Sequence, residues 1–99
     1  MQLSLSYGGV IYSNWSAEAL LDNGVPINIV EQTVADFKWR GIRDERDRKI
    51  ASSDWTQMPD APLDDVKKSE FTAYRQALRD VPQKFSDPDA VTWPEKPTF

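Results

Sequence analysis

Residues 43–80 read RDERDRKIASSDWTQMPDAPLDDVKKSEFTAYRQALRD, and this stretch decides the fold because it contains the end of one helix, a link and a second helix. The serines and aspartate at 52–54 are predicted to end the first helix. Pro59 and Pro62 fix φ within the link and prevent the helix from continuing. Asp64 is placed to cap the second helix. A short link between two amphipathic helices predicts an antiparallel helical hairpin.

Apolar residues recur at helical spacing on both sides of the link. The second helix is expected to end at Pro82 and to bury one face, formed by Phe71, Tyr74, Leu78 and Val81. The first helix is predicted to begin near Asn28 and to carry two apolar stripes, one of Val30, Val34 and Phe37 and the other of Ala35, Trp39, Ile42, Arg46 and Ile50. Gly41 marks a bend or a point of close packing within it. Trp55 is predicted to plug the bend of the hairpin.

The charged run from Arg43 to Lys49 mixes both signs and places opposite charges four residues apart. This pattern is typical of a solvated helix face, and a docking surface is the alternative. Arg46 differs from its neighbours because it falls within an apolar stripe. If it is covered, it requires a carboxylate partner.

Residues 1–26 predict a small β element and a short helix. Leu3 and Leu5 alternate with polar residues, and the glycine pair at 8–9 favours a two-residue turn before a second strand. Ser16 is placed to cap a short helix that stops at Asn23-Gly24. We therefore expect a mostly α (α+β) fold.

The expected organisation is a single globular domain in three segments: the β-hairpin and short helix (1–26), the helical hairpin (27–82) and an extended tail (83–99). The tail contains three prolines and two aromatic side chains besides Phe85, which predicts extended, polyproline-like backbone. It either packs back on its own hairpin or inserts its aromatic residues into a partner.

Composition argues against several classes of function. The chain of 99 residues has a net charge of −4 and contains neither cysteine nor histidine. The net negative charge argues against binding to the phosphate backbone of nucleic acids. No apolar run is long enough to span a membrane. Without histidine or cysteine, the usual base and thiolate of nucleophilic catalysis are absent, so we do not expect an enzyme. Asp60, Asp64 and Asp65 lack the order of a calcium loop, and we expect no metal or cofactor.

Three stretches in the second half of the chain have a distinctive residue order, RDERDRKIASSDWTQMPDAPL, YRQALRDVP and WPEKP. The residues that define this order are Arg43, Arg46, Asp47, Ile50, Ser53, Asp54, Trp55, Thr56, Gln57, Asp60, Pro62, Leu63, Tyr74, Arg75, Gln76, Leu78, Arg79, Asp80, Pro82, Trp93, Pro94 and Pro97. This order resembles the small domain of tailed-bacteriophage tail assembly chaperones and tail-fibre assembly proteins. Residues 1–40 lie outside the resemblance.

The resemblance implies a phage-encoded, non-enzymatic accessory protein that binds a tail or tail-fibre protein during virion assembly in the cytoplasm of the infected bacterium. Aromatic and arginine side chains dominate binding hot spots. The candidate partner-binding residues are therefore Trp55, Tyr74, Trp93, Arg46, Arg75 and Arg79. Two alternatives remain open: a structural tail or baseplate protein that stays in the virion, for which a stable homo-oligomer is expected, and a small phage inhibitor of a host enzyme or defence system.

Overall fold

The computed structural model describes residues 1–99 and confirms a mostly α fold with a small N-terminal β-hairpin. In chain order the elements are strands β1 (Leu3–Tyr7) and β2 (Val10–Trp15), helices α1 (Ala17–Asp22) and α2 (Ile27–Ser52), a 3₁₀ turn (Asp54–Gln57), helix α3 (Asp65–Lys84) and a second 3₁₀ turn (Pro88–Ala90). The chain forms two compact units, residues 1–40 and 41–99, whose boundary falls within α2. The division at 26/27 and 82/83 stays a prediction about domain organisation.

The first unit begins with the predicted antiparallel hairpin of β1 and β2. Gly8 and Gly9 form its two-residue turn with φ of 59° and 78°. Both angles lie in the left-handed region, which glycine adopts without the steric cost that a Cβ brings. The glycine pair therefore sets the position of the turn.

The pairing of the two strands contains one irregularity. Leu5 lies opposite Tyr12, and Leu3 lies opposite Trp15. Two steps along β1 match three along β2, so β2 contains one extra residue, a β-bulge. Asn14 lies there with φ of 61°, and its N–H donates to Ser4 Oγ at 3.2 Å. Asparagine tolerates this left-handed conformation better than most residues with a side chain.

The core of the first unit joins the hairpin to the helices that follow it. Its buried residues are Leu3, Tyr12, Leu20, Val25 and Val30. Ser16 caps α1 as predicted, because its Oγ accepts a hydrogen bond from the Ala19 N–H at 3.1 Å. The Tyr12 hydroxyl accepts one from the Asn23 side-chain amide at 3.1 Å, which satisfies the polar end of a buried ring.

Helix α2 runs from Ile27 to Ser52 and contains the predicted first stripe. Val30 is buried and Val34 packs against the core of the first unit, whereas Phe37 is 41% exposed. The helix continues through Gly41 without interruption, and open space surrounds the position that a Cβ would occupy there. Close packing therefore does not account for this glycine.

The second unit contains the predicted helical hairpin, in which α3 packs on the 3₁₀ turn of the link and on Ile50 near the end of α2. Asp64 caps α3, its Oδ1 accepting from the Lys67 N–H at 2.7 Å. The predicted face is buried through Phe71, Tyr74, Leu78 and Val81.

The end of α3 differs from the prediction. The helix includes Pro82 and continues to Lys84, two residues past the expected end. Proline lacks one backbone donor and cannot complete a bond to the preceding turn. The loss falls in the last turn, where few further bonds depend on it. Phe85 caps the helix, and its N–H donates to the Val81 carbonyl at 3.4 Å.

Candidate partner-binding site

Arg75 lies inside the second unit and holds the link against α3. Its Nη1 donates to the Ile50 carbonyl at 2.7 Å and to Ser53 Oγ at 3.0 Å, while Nη2 lies 2.8 Å from Asp54 Oδ1. A guanidinium can satisfy several acceptors at once because its donors point in fixed, different directions. Arg75 was a candidate for partner binding, and the structure places it among buried residues, with its charge already paired.

The aromatic stack, which we define as Trp55, Phe71 and Phe99, lies at the surface of the same unit. The Phe99 ring stacks on Phe71 and on Trp55, with centroid distances of 5.4 Å in both pairs. Trp55 also contacts Phe71 at 6.4 Å. Phe71 is fully buried, whereas Trp55 is 40% exposed and Phe99 is 71% exposed. Trp55 therefore covers the core as a plug only in part and presents a large face to solvent.

Trp93 holds the middle of the tail against the second unit. It packs on the core cluster of Phe71, Tyr74 and Leu78, and Lys49 Nζ lies 5.3 Å from the centre of its ring. This distance is within the range of a cation–π interaction. Of the two expectations for the tail, the structure shows the one in which it packs on its own hairpin.

The remaining candidates lie in three different surroundings. Tyr74 is buried in the core, so a partner cannot reach its ring without opening the unit. Arg46 is mostly covered and has the predicted carboxylate partner, since its Nη2 lies 3.0 Å from Asp47 Oδ1. Arg79 is exposed on α3. Among the six candidates, the structure places Trp55 and Trp93 beside the same core cluster.

Two features of this site were missing from the sequence prediction. Phe99 was treated only as part of the tail, and no contact with Arg75 was predicted for Ser53 or Asp54. The pattern of a lone aromatic residue following Trp-Pro-x-x-Pro could have drawn attention to Phe99, because such a segment carries few other apolar groups with which to anchor itself.

Comparison with protein families places the second half of the chain in a known family. The model of the phage tail assembly chaperone proteins matches residues 39–98, which include the whole link, α3 and nearly all of the tail. This chain belongs to the phage tail assembly chaperone family. The resemblance drawn from the residue order is thereby confirmed, and it supports an accessory role in phage tail assembly.

One solved structure extends the likeness of this chaperone-family chain beyond the matched segment. The solution structure of protein CV0426 from Chromobacterium violaceum is 30% identical, with a TM-score of 0.59, and the alignment covers 99% of this chain and 100% of that one. Residues 1–40, which the sequence analysis left without a counterpart, are therefore part of a fold shared with another protein. A search of curated proteins found no match.

No three histidine, cysteine, aspartate or glutamate side chains are grouped so that they could hold a metal ion. None of the helices combines the length and apolar character needed to cross a bilayer.

Tyr74 gives a prediction that depends on pH. Burial disfavours the phenolate and raises the pKa of Tyr74 above its ordinary value of 10.0. Below pH 10 both folded and unfolded chains keep the proton, and the contribution of Tyr74 to stability is complete. As pH rises from 10 through the folded pKa, the unfolded chain loses its proton first and stability falls.

The measurement is urea unfolding of the wild type and of Tyr74→Phe at pH 9 and pH 11. We expect the wild type to lose more stability between the two values than Tyr74→Phe does, because the variant has no proton to lose at this position. Equal losses in the two proteins would show that the Tyr74 hydroxyl remains as ionisable in the folded chain as in the unfolded one.

Proposed function

We propose that this protein binds a tail or tail-fibre protein of its phage and holds it until assembly, without catalysing a reaction. It would act in the cytoplasm of the infected bacterium. The observation that carries the proposal is the exposed aromatic surface of the second unit, which lies within the segment that matches the chaperone family.

Exposed aromatic area at this place supports binding rather than catalysis. Trp55 and Met58 in the link, with Phe99 beside Trp55, leave large apolar surfaces open to solvent. Rigid aromatic rings contribute much contact area at low cost in conformational entropy, and they are enriched in binding hot spots. Two neighbouring basic residues already have acidic partners within the chain. Arg75 pairs with Asp54, and Lys67 pairs with Glu70.

The proposal is tested by capturing the tagged protein from phage-infected cells and identifying the co-purified proteins by mass spectrometry, with purified virions as a second sample. We expect a tail or tail-fibre protein to co-purify and the tagged protein to be missing from virions. Trp55→Ala should reduce the recovered phage protein at least about tenfold, as a hot-spot substitution of about 2 kcal/mol or more does.

Phe37→Ala is the matched control. Phe37 is an aromatic residue with the same exposed fraction as Trp55 to within a few per cent, but it belongs to the other compact unit. Recovery should be unchanged in this variant. Presence of the tagged protein in virions would favour a structural role instead, and recovery of a single host protein would favour an inhibitor.

A further inference from the structure

The last part of the tail, residues 91–99, is held to the rest of the second unit by side-chain packing. None of its backbone or side-chain groups forms a hydrogen bond or an ion pair with another part of the chain. The contacts that hold it come from two rings, with Trp93 on the core cluster and Phe99 in the aromatic stack. Such a segment can leave its place without breaking any element of the fold.

The tail runs along α3 in the direction opposite to the helix. Trp93 and Pro94 lie beside Val81 and Lys84 near the end of α3. Further along, Pro97 and Thr98 lie beside Glu70. Phe99 then reaches the link and lies beside Trp55, Leu63 and Lys67, close to the start of the helix. The tail thus crosses the helix as an extended, proline-containing segment that ends in a ring.

We propose that Trp55 and Phe71 form a binding site for an aromatic side chain that belongs to an extended, proline-containing segment. Phe99 occupies this site until such a segment of the bound tail or tail-fibre protein, the client, displaces it. The part of this inference that concerns the client rests on the proposed function. The site accepts one ring, and the stacking of Phe99 on Trp55 and Phe71 shows the kind of side chain that it binds.

Two observations identify the occupant as replaceable. Phe71 is fully buried under the rings of the stack, so the site requires a ring to stay covered. Phe99, however, leaves most of its own surface in water, so it covers the site incompletely. A client segment that buries both faces of its ring would gain apolar contact that Phe99 does not make. Proline-containing segments also lose little entropy on binding, because their backbone is already extended.

Competition between tail and client follows from simple population arithmetic. For a ligand that binds only the open site, the apparent dissociation constant equals the intrinsic constant divided by the fraction of molecules in which the site is open. A tethered ring keeps that fraction small when its dissociation constant for the site is below its effective concentration, which is in the millimolar range for a short tether. If the tail occupies the site nine times in ten, removal of Phe99 tightens binding of a competing segment about tenfold.

The experiment uses a fluorescent peptide with the sequence of residues 91–99, VTWPEKPTF, and measures its binding to the full-length protein by fluorescence anisotropy. We expect Phe99→Ala to bind the peptide about tenfold more tightly than the wild type. Adding Trp55→Ala to Phe99→Ala should abolish binding, because one wall of the site is then missing. Adding Phe37→Ala instead should leave it unchanged.

A measurement on the wild type keeps the test independent of how the variants fold. Saturating peptide should shift the indole N–H resonance of Trp55, which lies in the stack, and leave that of Trp15 in the other unit unmoved. Equal affinity of wild type and Phe99→Ala would overturn the proposal. So would a wild-type dimer that Phe99→Ala converts to monomer, because the occupant would then be the tail of a second copy.

The peptide test and the capture from infected cells distinguish failure of the binding-site proposal from failure of the proposed function. Peptide binding with no phage protein captured would leave the aromatic site in place and remove its assignment to a tail protein. A captured tail protein whose recovery is the same with wild type and Phe99→Ala would support the proposed function and overturn the competition with the tail.

Discussion

Replacing Phe71 by alanine should lower the free energy of unfolding of the second unit by about 3–5 kcal/mol, the range for removing a buried phenylalanine ring. Phe71 has no exposed surface, and its ring contacts Trp55, Tyr74 and Phe99. Its removal leaves a cavity at the point where link, α3 and tail meet. The loss is larger than the apolar transfer term alone because the three neighbouring rings cannot all close the gap.

The measurement is urea unfolding followed by far-UV circular dichroism, with amide hydrogen exchange of residues 65–84 to isolate the second unit. Val66→Ala is the control, since it also shortens an apolar side chain on α3 but at an exposed position. It should change stability by less than about 0.5 kcal/mol. A loss below about 2 kcal/mol for Phe71→Ala would mean that the stack does not form in solution.

Arg75→Ala should destabilise the second unit by about 2–3 kcal/mol, because it leaves the Ile50 carbonyl and the Ser53 hydroxyl without their charged donor. The guanidinium supplies more than an ion pair. Asp54 is its only carboxylate partner and is mostly exposed, so Asp54→Asn should cost less than about 1 kcal/mol. The difference in unfolding free energy between the two variants measures the contribution of the hydrogen bonds from Arg75 to Ile50 and Ser53.

Arg79→Ala provides the matched control for Arg75→Ala. It removes the same type of side chain one helical turn further along α3, at an exposed position. Its effect should stay within about 0.5 kcal/mol. Arg75→Lys should recover only part of the lost stability, because a single ammonium group cannot reproduce the divergent donors. If Arg75→Ala and Arg79→Ala cost the same, the link does not depend on this network.

Local signals in the sequence were sufficient for most of the elements. The caps at Ser16 and Asp64, the glycine turn of the hairpin and the buried face of α3 each depend on residues within a few positions of one another. Hydrogen bonds of a capping side chain or a repeat of three and four residues can be recognised without knowing what lies opposite.

Features that depend on distant residues could not be predicted in this way. Arg75 looks like a surface arginine in the sequence, and only the approach of the link, more than twenty residues earlier, buries it. Phe37 fits an apolar stripe, but no element of its unit covers it fully. The spacing of apolar residues gives no signal for the role of Phe99, because its partners Trp55 and Phe71 are distant in the chain.

The bulge at Asn14 changes which side chains of β2 share a face. In an isolated pair of strands, both strands are edges, and a slip of one residue would turn every side chain to the opposite face. The extra residue in β2 lets Tyr12 and Trp15, three positions apart, meet edge to face at 4.9 Å. A slip of one residue between the strands would move Leu3 from the core to the opposite face. The bulge therefore gives this small hairpin an aromatic pair that a regular strand would place on opposite faces.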